Sequence, residues 1–355
     1  MSRPPEYHWL AFTPRDTVFI RDGRAFDAAV QTQAHSVRPT PTTLAGATGA
    51  AFGAEPTEMC GPVLALKLGS GWEPYFSVPR DLAREANVDE PYVHRLAPEP
   101  SGAASTDLGV RSWLLPPEGV GPIKDLTGWL PADRLAGYLA GTLPAVMGTP
   151  QWELHLADPL HPELRVGLAR EADHSAKEGY LYQATHLRPE RDWAFAVGCV
   201  LPAGWDRQAT GPVPFGGRGR LADVEMVNGI ELPASLSSFP GGRVLVYLAT
   251  PAIWPPGEST GPGGWRIPVP EGAELVAAAT GEPEPVATTT PGPRWKDNRV
   301  LRWAVPAGSV YLLQFADDGR ATDWATEVHG TTYGREADDR LRTAGFGLVL
   351  TGVWT

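Results

Sequence analysis

The sequence predicts an α+β protein built from many short strands and few helices, and three observations lead there. Glycine (40) and proline (37) are abundant among the 355 residues, which favours frequent turns. Apolar residues fall in short β-branched and aromatic runs closed by Gly, Pro or Asp. Helical periodicity is confined to three segments. With 42% hydrophobic residues and 13 tryptophans the chain can bury a sizeable core, and its length suits one large or two ordinary domains.

In chain order, strands are expected at 7–12, 16–21, 63–68, 164–169, 180–187, 193–201, 243–249, 274–279, 309–315 and 346–354. The first helix is expected at 40–52, where Thr40 and Pro41 open a run with Leu44, Ala47, Ala51 and Phe52 near helical spacing. The second is expected at 131–141, with Pro131 in the first turn, Asp133 early and Gly141 at the end. The third, 336–345, starts acidic, turns basic and stops at Gly345, as a helix dipole and C-cap prefer. The Pro/Gly-rich stretches 251–270 and 281–295 read as long loops.

A glycine-rich turn feeds a strand twice, in FGGRGRLADVEMV (215–227) and in AGFGLVLTGVW (344–354). This pattern suggests two copies of one small β/α unit. The first turn has neither a phosphate-loop GxxxxGK[ST] nor the strand–GxGxxG–helix context of a dinucleotide fingerprint. Its glycines permit positive φ and close approach of another chain, and Arg218 and Arg220 can hydrogen-bond an anion. The same residues also read as a tight turn with solvated arginines.

The formal charge of −11 argues against a free-standing nucleic-acid binder. The acidity is uneven: segment 51–110 has four basic and nine acidic residues, segment 317–340 three and seven. Segment 201–222 is locally positive through Arg207, Arg218 and Arg220, so a local anion site remains open. Cys60 and Cys199 stand alone, and no CxxC, HxH or DxD spacing points to a metal. The adjacent carboxylates Asp317–Asp318 and Asp338–Asp339 read as solvated faces, and no GxSxG elbow exists. The start MSRPPEYHWLAF lacks a signal pattern, and the apolar run 244–254 is too short to span a bilayer. A cytoplasmic protein without cofactor, metal or membrane contact is expected.

Several segments, taken in order, resemble one family. They are DTVFIRDGRAF (16–26), PTPTTLAGATGAAFG (39–53), RVGLAREADHSAKEGYLY (165–182), PFGGRGRLADVE (214–225), VYLATPAIW (246–254), GGWRIP (263–268), AVPAGSVYLLQF (304–315) and AGFGLVLTGVW. The set is similar to the RAMP proteins of CRISPR effector complexes, most of all the type III-B (Cmr) subunit that holds the 5′ end of the CRISPR RNA. The resemblance implies an α+β fold of two ferredoxin-like (RRM-type) units, each with a glycine-rich loop before its last strand. The units would be 1–232, with a large insertion at about 55–160, and 233–355. Strands 7–12, 164–169, 180–200 and 220–228 with helix 40–52 would make the first.

The resemblance further implies binding rather than catalysis. The partners would be the 5′ handle of the CRISPR RNA, target RNA indirectly, the large polymerase-like subunit and a backbone RAMP subunit. Gly216, Gly217 and Gly219 would let the RNA backbone approach, with Arg218 and Arg220 on phosphates. The start of helix 40–52 with Thr40, Thr42 and Thr43 would form a second phosphate seat, joined by Arg21, Arg24 and Arg38. His174 and Lys177 would lie on a thumb loop at about 170–179, and Gly345 and Gly347 would shape the second loop. Two rivals remain: a metal-independent RAMP-type endoribonuclease using His174 or His35, and a β-rich protein whose tryptophans face carbohydrate or a protein.

Overall fold

The computed structural model describes residues 7–21, 33–54, 56–100, 112–143, 148–201, 209–255, 265–290, 298–334, 341 and 343–354. The architecture is α+β and mostly antiparallel sheet, with three α-helices among the described residues. The largest sheet runs in the order Trp129–Pro131, Gly71–Ser77, Glu58–Leu68, Trp193–Val200, His8–Pro14, Leu221–Val227, Val213–Pro214. The second runs Ala273–Ala279, Val310–Phe315, Arg243–Leu248, Val349–Gly352. All pairings in both are antiparallel.

The central strands of both sheets are covered on both faces, so they read as nearly continuous apolar runs. Side chains alternate between two cores along each strand. In WAFAVGCV, Trp193, Phe195, Val197 and Cys199 point to one core, and Ala194 and Ala196 to the other. In RVLVYL, Val244, Val246 and Leu248 face outward to a third core. Leu245 and Tyr247 face inward, toward the first sheet. The layers are therefore helix Pro41–Phe52, first sheet, shared core, second sheet, helix Asp318–Val328.

Helix Pro41–Phe52 buries Leu44, Ala47 and Ala51 and stops at Gly53, whose φ of 74° closes the last turn as an L side chain resists. Helix Asp318–Val328 was not expected. Asp317 caps it by accepting from the Arg320 backbone N–H at 2.9 Å, and Ala321, Ala325 and Val328 form its buried stripe. The helix expected at 131–141 spans Ala132–Leu139. Most of segment 336–345 lies outside the described residues.

Three placements differ from expectation. Glu58–Leu68 and Gly71–Ser77 lie in the first sheet, although 55–160 was read as an insertion. Strands Leu160–Arg170 and Ala176–Pro189 leave that sheet and form a long hairpin, joined in parallel by Gln33–His35. Segment 16–21 makes single bridges at Val18 and Arg21 instead of a strand, and 281–295 contains strand Glu284–Thr290, paired with Asn298–Ala304.

The segment between the first two sheet strands is fixed to the second sheet by a buried ion pair. Arg95 Nε donates to Asp81 at 3.0 Å, Tyr138 OH donates to the same carboxylate at 2.6 Å, and Arg95 also donates to the Val353 carbonyl at 3.2 Å. The Asp81 and Tyr138 side chains are fully buried, so removing either leaves the others unpaired. Cys60 lies opposite Gly198 and Cys199 opposite Met59, so the two thiols point to opposite faces of the sheet, each buried. Burial pushes both thiols up to about 12. No helix among the described residues is long and apolar enough to cross a membrane.

Candidate nucleic-acid interface

The loop PFGGRGR joins Val213–Pro214 to Leu221–Val227 at the edge of the first sheet. Phe215 plugs it into the core against Phe12 and Phe195, with ring centroids 5.9 and 5.8 Å away. The Phe215 N–H donates to the Arg220 carbonyl at 2.8 Å, and the Gly217 N–H to the Phe19 carbonyl at 2.7 Å. A Cβ at Gly216 would sit 2.8 Å from that same carbonyl, and φ there is +90°. Gly216 and Gly217 therefore meet the chain's own backbone while staying exposed. Gly219 (φ +69°) has open space before it and fits the original reading.

Arg218 is exposed and adopts φ +59°, a left-handed conformation that costs a non-glycine residue about 1 kcal/mol. Its guanidinium stacks over the Tyr182 ring at 4.8 Å and near Phe19 at 5.7 Å, and donates to the Tyr182 hydroxyl at 2.8 Å. Phe19 in turn stacks on His186 at 4.5 Å. The result is one cation held between the Tyr182 and Phe19 rings, with His186 beyond Phe19, which joins loop to hairpin.

Arg220 turns the other way. It pairs with Asp16, which also pairs with Arg188 at 3.0 Å and Arg165 at 3.2 Å. Glu163 holds the same two arginines. Desolvation pushes the Asp16 carboxyl up, yet hydrogen bonds from Arg188, the Thr17 backbone and Arg165 outweigh it and bring it to about 2. Three guanidiniums here meet two carboxylates, so the cluster keeps a positive surplus. Arg220 is thus a partly buried cation already paired with Asp16. Nothing in the local sequence shows this, because its partners come from distant segments.

His186 is buried, and its Nδ1 lies 2.8 Å from the Thr17 hydroxyl. Burial first, then Arg165, Arg220 and Arg218, push its imidazole below the ordinary value, so it is neutral. It is the histidine nearest the loop, and sequence reading missed it along with Tyr182 and Phe19. His174 sits exposed at the hairpin tip with φ +68°, and Lys177 lies 4.5 Å over the Tyr180 ring. The Thr40 hydroxyl bonds those of Thr42 (2.9 Å) and Thr43 (3.2 Å), so the three form one cluster at the helix start. Arg38 lies over Trp129 in a neighbouring cleft, Arg21 is exposed beside Ser36, and Arg24 lies outside the described residues.

The second glycine loop is different. Gly345 and Gly347 are buried, and a Cβ at Gly345 would meet the Gly61 carbonyl at 2.6 Å. The Gly347 N–H donates to the Pro251 carbonyl at 2.9 Å, and Thr250 Oγ1 donates to the Gly345 carbonyl at 2.7 Å. Residues 344–348 are buried, and Gly345 packs against strand Glu58–Leu68 through the Gly61 carbonyl. Among the described residues no group of three or more His, Cys, Asp or Glu could hold a metal ion.

A sequence model for the family described as CRISPR-associated protein (Cas_Cmr3) matches residues 10–354, and the chain belongs to that family. In solved structures, a chain in a cryo-EM structure of the type III-B Cmr-beta bound to cognate target RNA and AMPPnP, state 1, superposes with TM-score 0.52. It is 14% identical, over 96% of this chain and 93% of that one. A chain from the same assembly bound to cognate target RNA alone gives TM-score 0.48 at 14% identity, over 86% of each chain. A search of curated proteins finds none that matches.

Proposed function

We propose that this protein is a non-catalytic RNA-binding subunit of a type III CRISPR effector complex that caps the 5′ handle of the CRISPR RNA. In this role it bridges the large polymerase-like subunit to the backbone filament in the cytoplasm. Two ferredoxin-like units, 1–232 and 233–355, carry the role. The strand orders support this division: the run Glu58–Leu68, Trp193–Val200, His8–Pro14, Leu221–Val227 within the seven-stranded sheet has the same 2-3-1-4 chain order as Ala273–Ala279, Val310–Phe315, Arg243–Leu248, Val349–Gly352. The first unit keeps its helix between strands one and two, the second between strands three and four.

The observation that carries the reading is Arg218, held exposed in a strained turn between the Tyr182 and Phe19 rings, in a chain of this family. An arginine so placed binds a phosphate with its fork while nearby rings accept an unstacked base. Gly219, Lys177, His174, Arg21 and the Thr40–Thr42–Thr43 cluster complete the proposed surface. The acidic segments 51–110 and 317–340 would meet basic neighbouring subunits.

The test is the salt dependence of guide-RNA binding by the assembled complex. Arg218→Ala should flatten the log–log slope by about 0.7, the value for one lost single-strand phosphate contact. An unchanged slope means that this loop does not touch phosphate.

A further inference from the structure

A cleft opens where the two sheets and the start of helix Pro41–Phe52 meet. Its walls are apolar, with Val63, Leu64 and Phe195 on one side and Pro251 and Ala307 on the other. Two charged side chains enter it, Arg38 from the first unit and Glu284 from the second. The Arg38 guanidinium lies 4.2 Å over the Trp129 ring and 3.4 Å from the Ser77 hydroxyl, which fixes its direction. Tyr247 OH, held on the Ser77 carbonyl at 2.6 Å, stiffens the same corner.

Arg38 and Glu284 act on each other electrostatically, yet no salt bridge joins them among the described residues. Arg80 and Asp158 are the other charges felt there. Two cations and two acids balance, which suits a phosphate poorly. An apolar slot with a donor fork on one side and a carboxylate on the other suits a flat, neutral ring with acceptors on one edge and donors on another. Guanine matches best: O6 and N7 accept from an arginine, while N1–H and the 2-amino group donate to a carboxylate.

We infer that this cleft seats one unstacked guanine of a bound RNA, with Arg38 and Glu284 as its specificity-determining residues. The inference rests on the RNA-binding reading above and moves Arg38 from phosphate contact to base contact. A base in the cleft would touch both units at once and so report their relative placement to the RNA.

The experiment measures binding of the full chain to a fluorescein-labelled uridine octamer, and to octamers carrying a single guanine at each position in turn. At one position guanine should tighten binding about 10-fold, where adenine does not and hypoxanthine, which lacks only the 2-amino group, gains less. Glu284→Ala should abolish that gain and leave uridine-octamer binding unchanged. Glu284→Gln, which keeps the shape but not the charge, should lose most of it. A gain that survives in both variants, or equals that of adenine, overturns the guanine seat. Salt-sensitive uridine binding without any guanine gain defeats the seat alone. No binding to any octamer also overturns the seat, while the salt slope of the assembled complex decides the RNA-binding reading separately.

Discussion

The two glycine turns begin from the same plan and end in opposite uses. Each precedes the last strand of a run with the same 2-3-1-4 chain order, and each carries a buried phenylalanine, Phe215 or Phe346. The first turn then exposes Arg218 to solvent, whereas the second buries Gly345 against the Gly61 carbonyl. The difference lies in what is placed opposite. The first loop meets the hairpin at the sheet's edge, and the second meets the other sheet. A glycine-rich turn is thus a permissive backbone shape, and its neighbours decide whether it becomes a surface or a seam.

The largest expected effect tests what the turns share. Phe215→Ala and Phe346→Ala should each cost about 3–5 kcal/mol in denaturant unfolding, since both rings are fully buried. A cost below about 1 kcal/mol at either would break the equivalence of the two plugs. Next comes the contrast itself. Gly345→Ala should cost about 3 kcal/mol, through positive φ and a backbone clash, and Gly219→Ala, with positive φ alone, about 1 kcal/mol. Equal costs would remove the distinction between seam and surface.

A pH series sharpens the comparison between units, because each holds one neutral histidine. His329 Nε2–H donates to the Pro233 carbonyl at 2.7 Å, and its Nδ1 accepts from the Thr351 N–H at 3.0 Å. Burial pushes the His329 imidazole below its ordinary value, as burial and nearby arginines do for His186. Below about pH 6.5 the unfolded chain therefore binds more protons than the folded one, so stability falls as pH drops. His329→Gln should remove its share of that acid loss, read as a shallower fall in unfolding midpoint. An identical fall in variant and parent would assign the loss elsewhere. The smallest effect concerns the ion cluster: Asp16→Asn should cost about 1 kcal/mol or less, because the cluster is partly exposed. A cost of several kcal/mol would mean that Arg220 and its neighbours act as a buried pair.

Much of the strand pattern was legible because the central strands of both sheets, such as Trp193–Val200 and Arg243–Leu248, are buried on both faces and almost wholly apolar. The first helix was legible from Thr40, Pro41 and the spacing of Leu44, Ala47 and Ala51. Helix Asp318–Val328 was not, because its buried stripe is largely alanine, which hydropathy barely registers. Segment 281–295 read as loop since Pro285 and a threonine run hide a strand, which pairs with Asn298–Ala304. The arginine loop was visible as an anion candidate. The division of labour between Arg218 and Arg220 was not, because Tyr182, Asp16, Arg165 and Arg188 reach it only through long-range pairing. The burial of Gly345 was equally hidden, since Gly61 is far away in sequence.

The opposed thiols of Cys60 and Cys199 give the fold two built-in reporters. Because each is sealed in a different hydrophobic layer, the rate at which a small alkylating reagent reaches Cys60 tracks parting of the two halves. Its rate at Cys199 tracks lifting of the first helix. A single pulse-labelling run can therefore time the two motions separately, without adding any probe.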